Sequence, residues 1–335
     1  MALRVGTIHK AFETIEGRFG GGRIQGRFVQ SELTEPRASA VFLQLTTESG
    51  GSDFGPLFGQ PIAGKPGADP ARYHPDPKLN LVIEELAQSW REAKAAAAGE
   101  RAGALAEFVA GDWHSDPQFP AKFATAVAQR KDTPTLRAYT MRYFGHKSVP
   151  ESERPRVGGP RALRQLRALF VNAQRLKERG GLVAVLRDQA GAYAQGHGGD
   201  AKKAREAFPR IAFGDGTDAS PSDFARFLER GLASSFDDVS PNLASYALRD
   251  LARRGGGQLL KGTEHAFVAD RNTAIFLTRA GLVDDVAAGK QLTVMPEAEL
   301  REVHLKAFDL MQTEFIQTNA ELSERMAIAA RERLV

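Results

Sequence analysis

Five helix starts of one form constrain the fold of this chain more than any other feature. Each is a side chain that can cap a helix followed by proline, which suits the first helical turn because its missing N–H would have no partner there. They are Asp76-Pro77, Asp116-Pro117, Thr133-Pro134, Ser220-Pro221 and Ser240-Pro241. Between them lie runs with apolar residues three and four positions apart. The sequence after residue 75 therefore predicts a series of helices.

The N-terminal segment has a different pattern. Residues 12–30 alternate roughly between apolar and polar around Gly20, Gly21 and Gly22, and residues 39–47 form a short apolar run. Such runs are typical of strands, and a glycine cluster is typical of the turn between two strands. The sequence thus predicts an α+β fold that is predominantly α-helical, with a small β-rich N-terminal region.

Shifts in composition divide the chain into four parts. Its 335 residues exceed the length at which one hydrophobic core usually stops growing. Six glycines and six prolines between residues 50 and 77 indicate a loop or linker there. We expect a β-rich region over 1–49, the loop over 50–77 and a helical domain over 78–257. Over 258–335 we expect a mixed segment and a long C-terminal helix, because apolar residues from Glu297 onward recur at helical spacing.

The absence of cysteine restricts the chemistry that is open to the chain. Disulfides, thiolate zinc sites and cysteine nucleophiles are excluded, so any metal must be held by histidine or carboxylate side chains. Residues 1–12 lack the apolar run of a signal peptide, and no later stretch has the length of apolar sequence that crosses a membrane. The bias towards Ala, Arg and Gly is typical of a GC-rich genome. We expect a cytoplasmic, bacterial protein without a membrane partner.

Positive charge is concentrated in residues 129–180, which hold thirteen Lys and Arg against four Asp and Glu, although the formal net charge of the chain is only +4. A helix predicted after Gly159 has an apolar face that includes Leu163, Leu166 and Phe170. Its cations, expected on the opposite face, are Arg161, Arg164, Arg167, Arg175 and Lys177. A helix of this kind can follow a phosphate backbone, and the other interpretation is a solvated surface helix.

Two arginines of the predicted N-terminal hairpin could extend this surface. Arg18 precedes Phe19 and Arg27 precedes Phe28, a mixture that can pair phosphate contacts with base stacking, although both phenylalanines could equally be core residues. No zinc finger, RNP motif or KH loop is present to read bases. The leading functional hypothesis is a protein that binds nucleic acid, RNA included, or another polyanion without strong sequence preference.

A repeated element offers a possible metal site. Residues 73–77 and 113–117 both have the form aromatic-His-x-Asp-Pro. If they converged, His74, Asp76, His114 and Asp116 would supply two imidazoles and two carboxylates to a divalent metal. The simpler interpretation is that each aspartate caps a helix and each histidine packs just before it.

An acidic loop suggests a second class of function. Phe213-Gly-Asp-Gly-Thr-Asp218 resembles the glycine-aspartate-glycine-threonine signature of lipid and NAD kinases and the late acidic loop of haloacid dehalogenase phosphatases. The resemblance covers about six residues, and no Asp-x-Asp string precedes it as the phosphatases require. It implies a Mg²⁺-assisted phosphoryl-transfer or hydrolytic enzyme that uses Asp215 and Asp218. The alternative is an ordinary turn at Asp215-Gly216.

The predicted C-terminal helix supports a third hypothesis. A helix from Glu297 nearly to the end could either pack within its own chain or project towards a partner. In the second case the protein would be an interaction or effector-type scaffold, or a homo-oligomer, that docks through this helix.

Overall fold

A computed structural model describes residues 5–19, 34–48, 55–58, 74–100, 102–113, 116–144, 159–208 and 221–254, together with isolated positions between 275 and 334. Every regular element in these ranges is a helix. The fold is therefore all-α, and the prediction of an α+β fold with a β-rich N-terminal region is wrong.

The described ranges contain eleven α-helices and one short 3-10 helix. In chain order the α-helices are α1 (Val5–Phe19), α2 (Glu35–Glu48), α3 (Asp76–Ala98), α4 (Ala104–Ala110), α5 (Phe119–Ala128), α6 (Pro134–Phe144), α7 (Gly159–Arg179), α8 (Leu182–Gly196), α9 (Ala201–Ala207), α10 (Pro221–Ser235) and α11 (Pro241–Arg254). The 3-10 helix, Gly55–Phe58, lies within the segment that we predicted to be a loop or linker.

Two of the N-terminal strand predictions are wrong, for different reasons, and the second strand of the predicted hairpin lies outside the described residues. In α1 the buried residues Ile8, Ala11, Phe12 and Ile15 recur at helical spacing, and this pattern begins before Phe12, where alternation was expected to start. In α2 every residue from Ala38 to Thr46 is buried. A segment buried on all sides has no polar face, so its sequence cannot distinguish a helix from a strand.

The capped proline starts located the later helices well. Helices α6, α10 and α11 begin at the prolines of the predicted pairs. Helix α3 begins one residue before its proline, at Asp76, whereas α5 begins at Phe119, after a turn in which the Gln118 N–H donates to the Asp116 carboxylate at 2.9 Å. Helix α7 ends at Arg179, directly before the glycine pair Gly180-Gly181.

The chain divides into two compact units, each made of separate stretches of sequence. One contains residues 34–188 and 231–243, and we call it the α7 unit. The other contains residues 1–33, 189–230 and 244–335. The four parts expected from composition are not tested by this division and stay a prediction.

Helix α7 is the central helix of the α7 unit. It packs along α3 and also contacts α2 and α5. Among residues 165–176 only Arg167, Gln174 and Arg175 have side chains that are not buried, and none of these three is fully exposed. A helix that is buried nearly all round occupies a core position, and this one carries polar side chains such as Gln165 and Asn172 into the interior.

Pairs of aromatic rings contribute to the core of both units. In the α7 unit Phe108 stacks on Phe123 with ring centroids 4.2 Å apart and on Trp113 at 5.6 Å. In the other unit the Tyr193 ring lies 5.1 Å from that of Phe224. Such ring pairs contribute stability beyond the area that they bury.

Two carboxylates of the α7 unit cap helices other than their own. One oxygen of Glu92, on α3, accepts the N–H groups of Thr135 and Leu136 at 3.0 Å each, in the first turn of α6. Glu35, on α2, accepts the N–H of Val183 at 2.9 Å in the first turn of α8. Both carboxylates therefore lie at the positive end of a helix dipole.

Glu35 packs closely against the start of α8. Gly181 has a φ of +102°, and a Cβ built there would overlap the Glu35 carboxylate, so glycine is required on both counts. Ser39 on α2 donates its hydroxyl to Glu35 at 2.9 Å. Burial nevertheless raises the pKa of the Glu35 carboxyl above its ordinary value, because it outweighs the hydrogen bonds that favour the ionised form.

We expect this raised pKa to make the contribution of Glu35 to the free energy of unfolding dependent on pH. A proton that the folded state binds more tightly contributes stability in acid, and that contribution is lost as the pH rises through the folded-state pKa. The free energy of unfolding of the wild type minus that of Glu35→Gln should therefore increase as the pH falls from about 7 towards about 4.5. Urea unfolding of both proteins across that range measures the difference. A difference that stays constant or moves the other way would contradict the assignment.

No helix within the described ranges combines the length and apolar composition that crossing a membrane requires.

Candidate functional site

The predicted basic helix exists, but its arginines do not share one solvated face. Arg161 and Arg164 lie near the start of α7 and are exposed, whereas Arg167 and Arg175 are only partly accessible. The predicted apolar residues Leu163, Leu166 and Phe170 are all fully buried, as expected. The four arginines thus fall into an outer pair and an inner pair, and the two pairs have different partners.

Arg167 binds the C-terminal end of α4 and an aspartate of the α7 unit. Its Nε and Nη2 donate to the carbonyls of Phe108 and Val109 at 3.0 Å each, and its Nη1 lies 2.6 Å from the Asp237 carboxylate. Its guanidinium also lies 5.4 Å from the centre of the Trp90 ring. Each of the three guanidinium nitrogens therefore donates to an acceptor, in a geometry that only arginine can supply. Arg167 is a structural residue.

The segment that follows α10 is an acidic turn, Phe236–Ser240, and α7 holds it by its backbone. Asn172, fully buried on α7, accepts the N–H of Asp237 at 2.7 Å and donates to the carbonyl of Asp237 at 2.9 Å. Arg175 donates to the carbonyl of Ser235 at 3.1 Å. Phe236 packs on Phe42 of α2, with ring centroids 4.6 Å apart. The end of α10 and the acidic turn are therefore fixed to α7 through Ser235 and Asp237, and the turn is fixed to α2 through Phe236.

The outer arginines meet the other carboxylate of the acidic turn. Arg164 Nε lies 3.6 Å from the Asp238 carboxylate, and both side chains remain partly exposed. Partial burial raises the pKa of the Asp238 carboxyl, the Arg164 charge opposes that rise, and the neighbouring Asp237 adds to it. Arg161 lies about one turn before Arg164 on α7, and its charge also lowers the pKa of Asp238. Three arginines and two aspartates thus form one group, which we call the arginine cluster.

Two further cations of the basic segment are also paired with acids. Lys177 forms an ion pair with Glu84 of α3, and this contact is the main reason that the pKa of Glu84 is lowered. Arg130, before α6, binds Glu100 at 2.7 Å and Asp132 at 2.7 Å. The charge excess that the sequence shows is therefore partly compensated by acids from elsewhere in the chain.

The two His-x-Asp-Pro elements have separate partners where they are described. Asp76 binds Arg37 at 2.9 Å, and Asp116 binds Lys122 at 2.6 Å, a contact that lowers the pKa of Asp116. His74 donates its backbone N–H to Phe58 at 3.3 Å, whereas His114 lies outside the described residues. In the part of the chain that the structure describes, no three histidine or carboxylate residues form a group that could hold a metal ion.

Several other predicted site residues cannot be placed. Asp215, Asp218 and Arg27 lie outside the described residues, as does most of the predicted C-terminal helix. Arg18 belongs to α1 and not to a hairpin. The Mg²⁺-dependent enzyme and the docking scaffold therefore stay predictions.

Sequence reasoning missed the most important partners of the arginines, which are Asn172, Asp237 and Asp238. An adjacent pair of aspartates between a helix end and the Ser240-Pro241 start could have been recognised as an acidic turn. Its docking onto α7 joins residues 70 positions apart, from Arg167 to Asp237, and no local pattern indicates such a contact.

Comparison with known proteins gives no match, since no family model, no curated protein and no solved structure is similar to this chain.

Proposed function

We propose that the chain binds a phosphate-bearing polyanion, with nucleic acid as the first candidate, through Arg161 and Arg164 of the arginine cluster. The observation that carries the proposal is the engagement of two adjacent carboxylates by arginines from successive turns of one helix. Arginines arranged in this way suit a ligand with anionic groups on neighbouring units, as in a nucleic acid backbone.

The exposure of the outer arginines supports this function. Arg161 and Arg164 are exposed, whereas Arg167 is only partly accessible. Arg167 and Asp237 are committed to each other at 2.6 Å, while the Arg164–Asp238 pair is longer, at 3.6 Å, and more exposed. The outer pair is therefore the part of the arginine cluster that a ligand can reach. A cytoplasmic location, which the sequence led us to expect, would give the chain access to nucleic acid.

We expect the double variant Arg161→Ala/Arg164→Ala to bind a labelled single-stranded oligonucleotide at least about tenfold more weakly than the wild type near 0.1 M salt, because two phosphate contacts are lost. Fluorescence anisotropy measures the affinity, with duplex DNA, RNA and inorganic polyphosphate as further probes. The matched control is Lys202→Ala/Lys203→Ala, which removes two exposed cations from α9. An equal loss in both double variants would show that only overall charge matters and would contradict the proposal.

A further inference from the structure

The acidic turn is held on α7 by two kinds of contact that differ in strength. Asp237 is anchored by its backbone on Asn172 and by its carboxylate on Arg167, at distances of 2.6 to 2.9 Å. Asp238 has its carboxylate 3.6 Å from Arg164 Nε, which is beyond hydrogen-bond distance. An ion pair of this length between partly exposed side chains contributes little to stability. Asp238 is thus the displaceable member of the turn.

The backbone of Asp238 indicates that its position is imposed by the turn. Its φ is +54°, in the left-handed region that side chains other than glycine, asparagine and aspartate rarely adopt. The anchored neighbour Asp237 fixes where Asp238 lies, and the Asp238 carboxylate is thereby brought to Arg164 and within the field of Arg161. A carboxylate at this point occupies the place that the proposed function gives to a ligand phosphate.

We infer that Asp238 is an internal competitor, which occupies the Arg161–Arg164 site and lowers the affinity of the chain for its polyanion. This inference rests on the proposed function. A ligand phosphate that reaches the two arginines displaces the Asp238 carboxylate towards water, while Asp237, Asn172 and Arg167 keep the turn attached. The ion pair between Asp238 and Arg164 therefore disfavours weak ligands. A ligand with several phosphates displaces the Asp238 carboxylate more readily than a single phosphate does.

The variant Asp238→Asn tests the competition without disturbing the turn. Asparagine keeps the shape of the side chain and tolerates a positive φ, and it removes the negative charge. We expect Asp238→Asn to bind the labelled oligonucleotide about threefold to fivefold more tightly than the wild type, which is the range expected for removing an exposed charge partner. Glu13→Gln, which removes one exposed acid from α1, is the control for net charge and should leave the affinity nearly unchanged.

A combined variant separates local competition from a general charge effect. In the Arg161→Ala/Arg164→Ala background, Asp238→Asn should bring no gain, because the site for which it competes is gone. The inference is overturned if Asp238→Asn binds no more tightly than the wild type, if Glu13→Gln gives the same gain, or if the gain persists without the two arginines. If the wild type binds and the arginine variant binds less, but Asp238→Asn brings no gain, only the competition is wrong. If neither the wild type nor Asp238→Asn binds any probe, the proposed function fails as well.

Discussion

Replacing Arg167 by alanine is expected to lower the free energy of unfolding by about 3 kcal/mol, the loss typical of removing one partner from a largely buried ion pair. The change leaves the carbonyls of Phe108 and Val109 without their side-chain donor and leaves the Asp237 carboxylate without its cation. It also removes the contact with the Trp90 ring. Urea unfolding followed by circular dichroism measures the loss.

Two further variants show whether stability depends on the guanidinium geometry of Arg167 or only on a positive charge. Arg167→Lys should recover little of the lost stability, because one ammonium group cannot reach two carbonyls and a carboxylate in the geometry of the guanidinium. Arg137→Ala removes an exposed arginine of α6 and should change the free energy of unfolding by no more than about 0.5 kcal/mol. Equal stabilities of Arg167→Ala and Arg137→Ala would mean that Arg167 has no structural role.

Replacing Glu92 by alanine is expected to lower the free energy of unfolding by about 2 kcal/mol, at the upper end of the range for losing a helix cap. Its carboxylate accepts two N–H groups in the first turn of α6, whereas the Thr133 hydroxyl, buried next to that turn, makes no hydrogen bond.

Glu92→Gln is the matched control for the charge of this cap. The amide oxygen can still accept both N–H groups, so this variant loses only the interaction of a full negative charge with the helix dipole. We expect it to lose about half as much stability as Glu92→Ala, as measured by urea unfolding. If Glu92→Gln and Glu92→Ala lost equal amounts of stability, the charge of Glu92, and not its hydrogen bonds, would stabilise α6. If neither were damaging, Glu92 would not act as a cap.

Local patterns allowed most of the helices after residue 75 to be predicted. Helix α7 was expected from the spacing of Leu163, Leu166 and Phe170, and α6, α10 and α11 begin at the predicted prolines. These signals succeed because a cap, a proline and an apolar spacing act within a few residues of chain. Helix α2 escaped prediction because it is buried on all sides and its sequence therefore has no polar face.

The roles of the charged residues could not be predicted in the same way. Thr133 was expected to cap α6, but the cap is Glu92, which lies 43 residues before Thr135. The arginines of α7 were expected on one outer face, but Arg167 and Arg175 bind the ends of α4 and α10. Each of these contacts joins helices that are distant in sequence, so it depends on the tertiary fold and not on local spacing.

The division of the α7 arginines into an inner pair that holds the fold and an outer pair that binds anions is the central claim. The slope of log affinity against log salt concentration, measured for the wild type and for Arg161→Ala/Arg164→Ala with the same oligonucleotide, tests it most directly. The account predicts a slope that is less steep in the variant by about 1.4 to 1.8, the loss of two phosphate contacts, with an unchanged free energy of unfolding. Identical slopes for the two proteins, or a wild-type affinity that does not depend on salt, would contradict it.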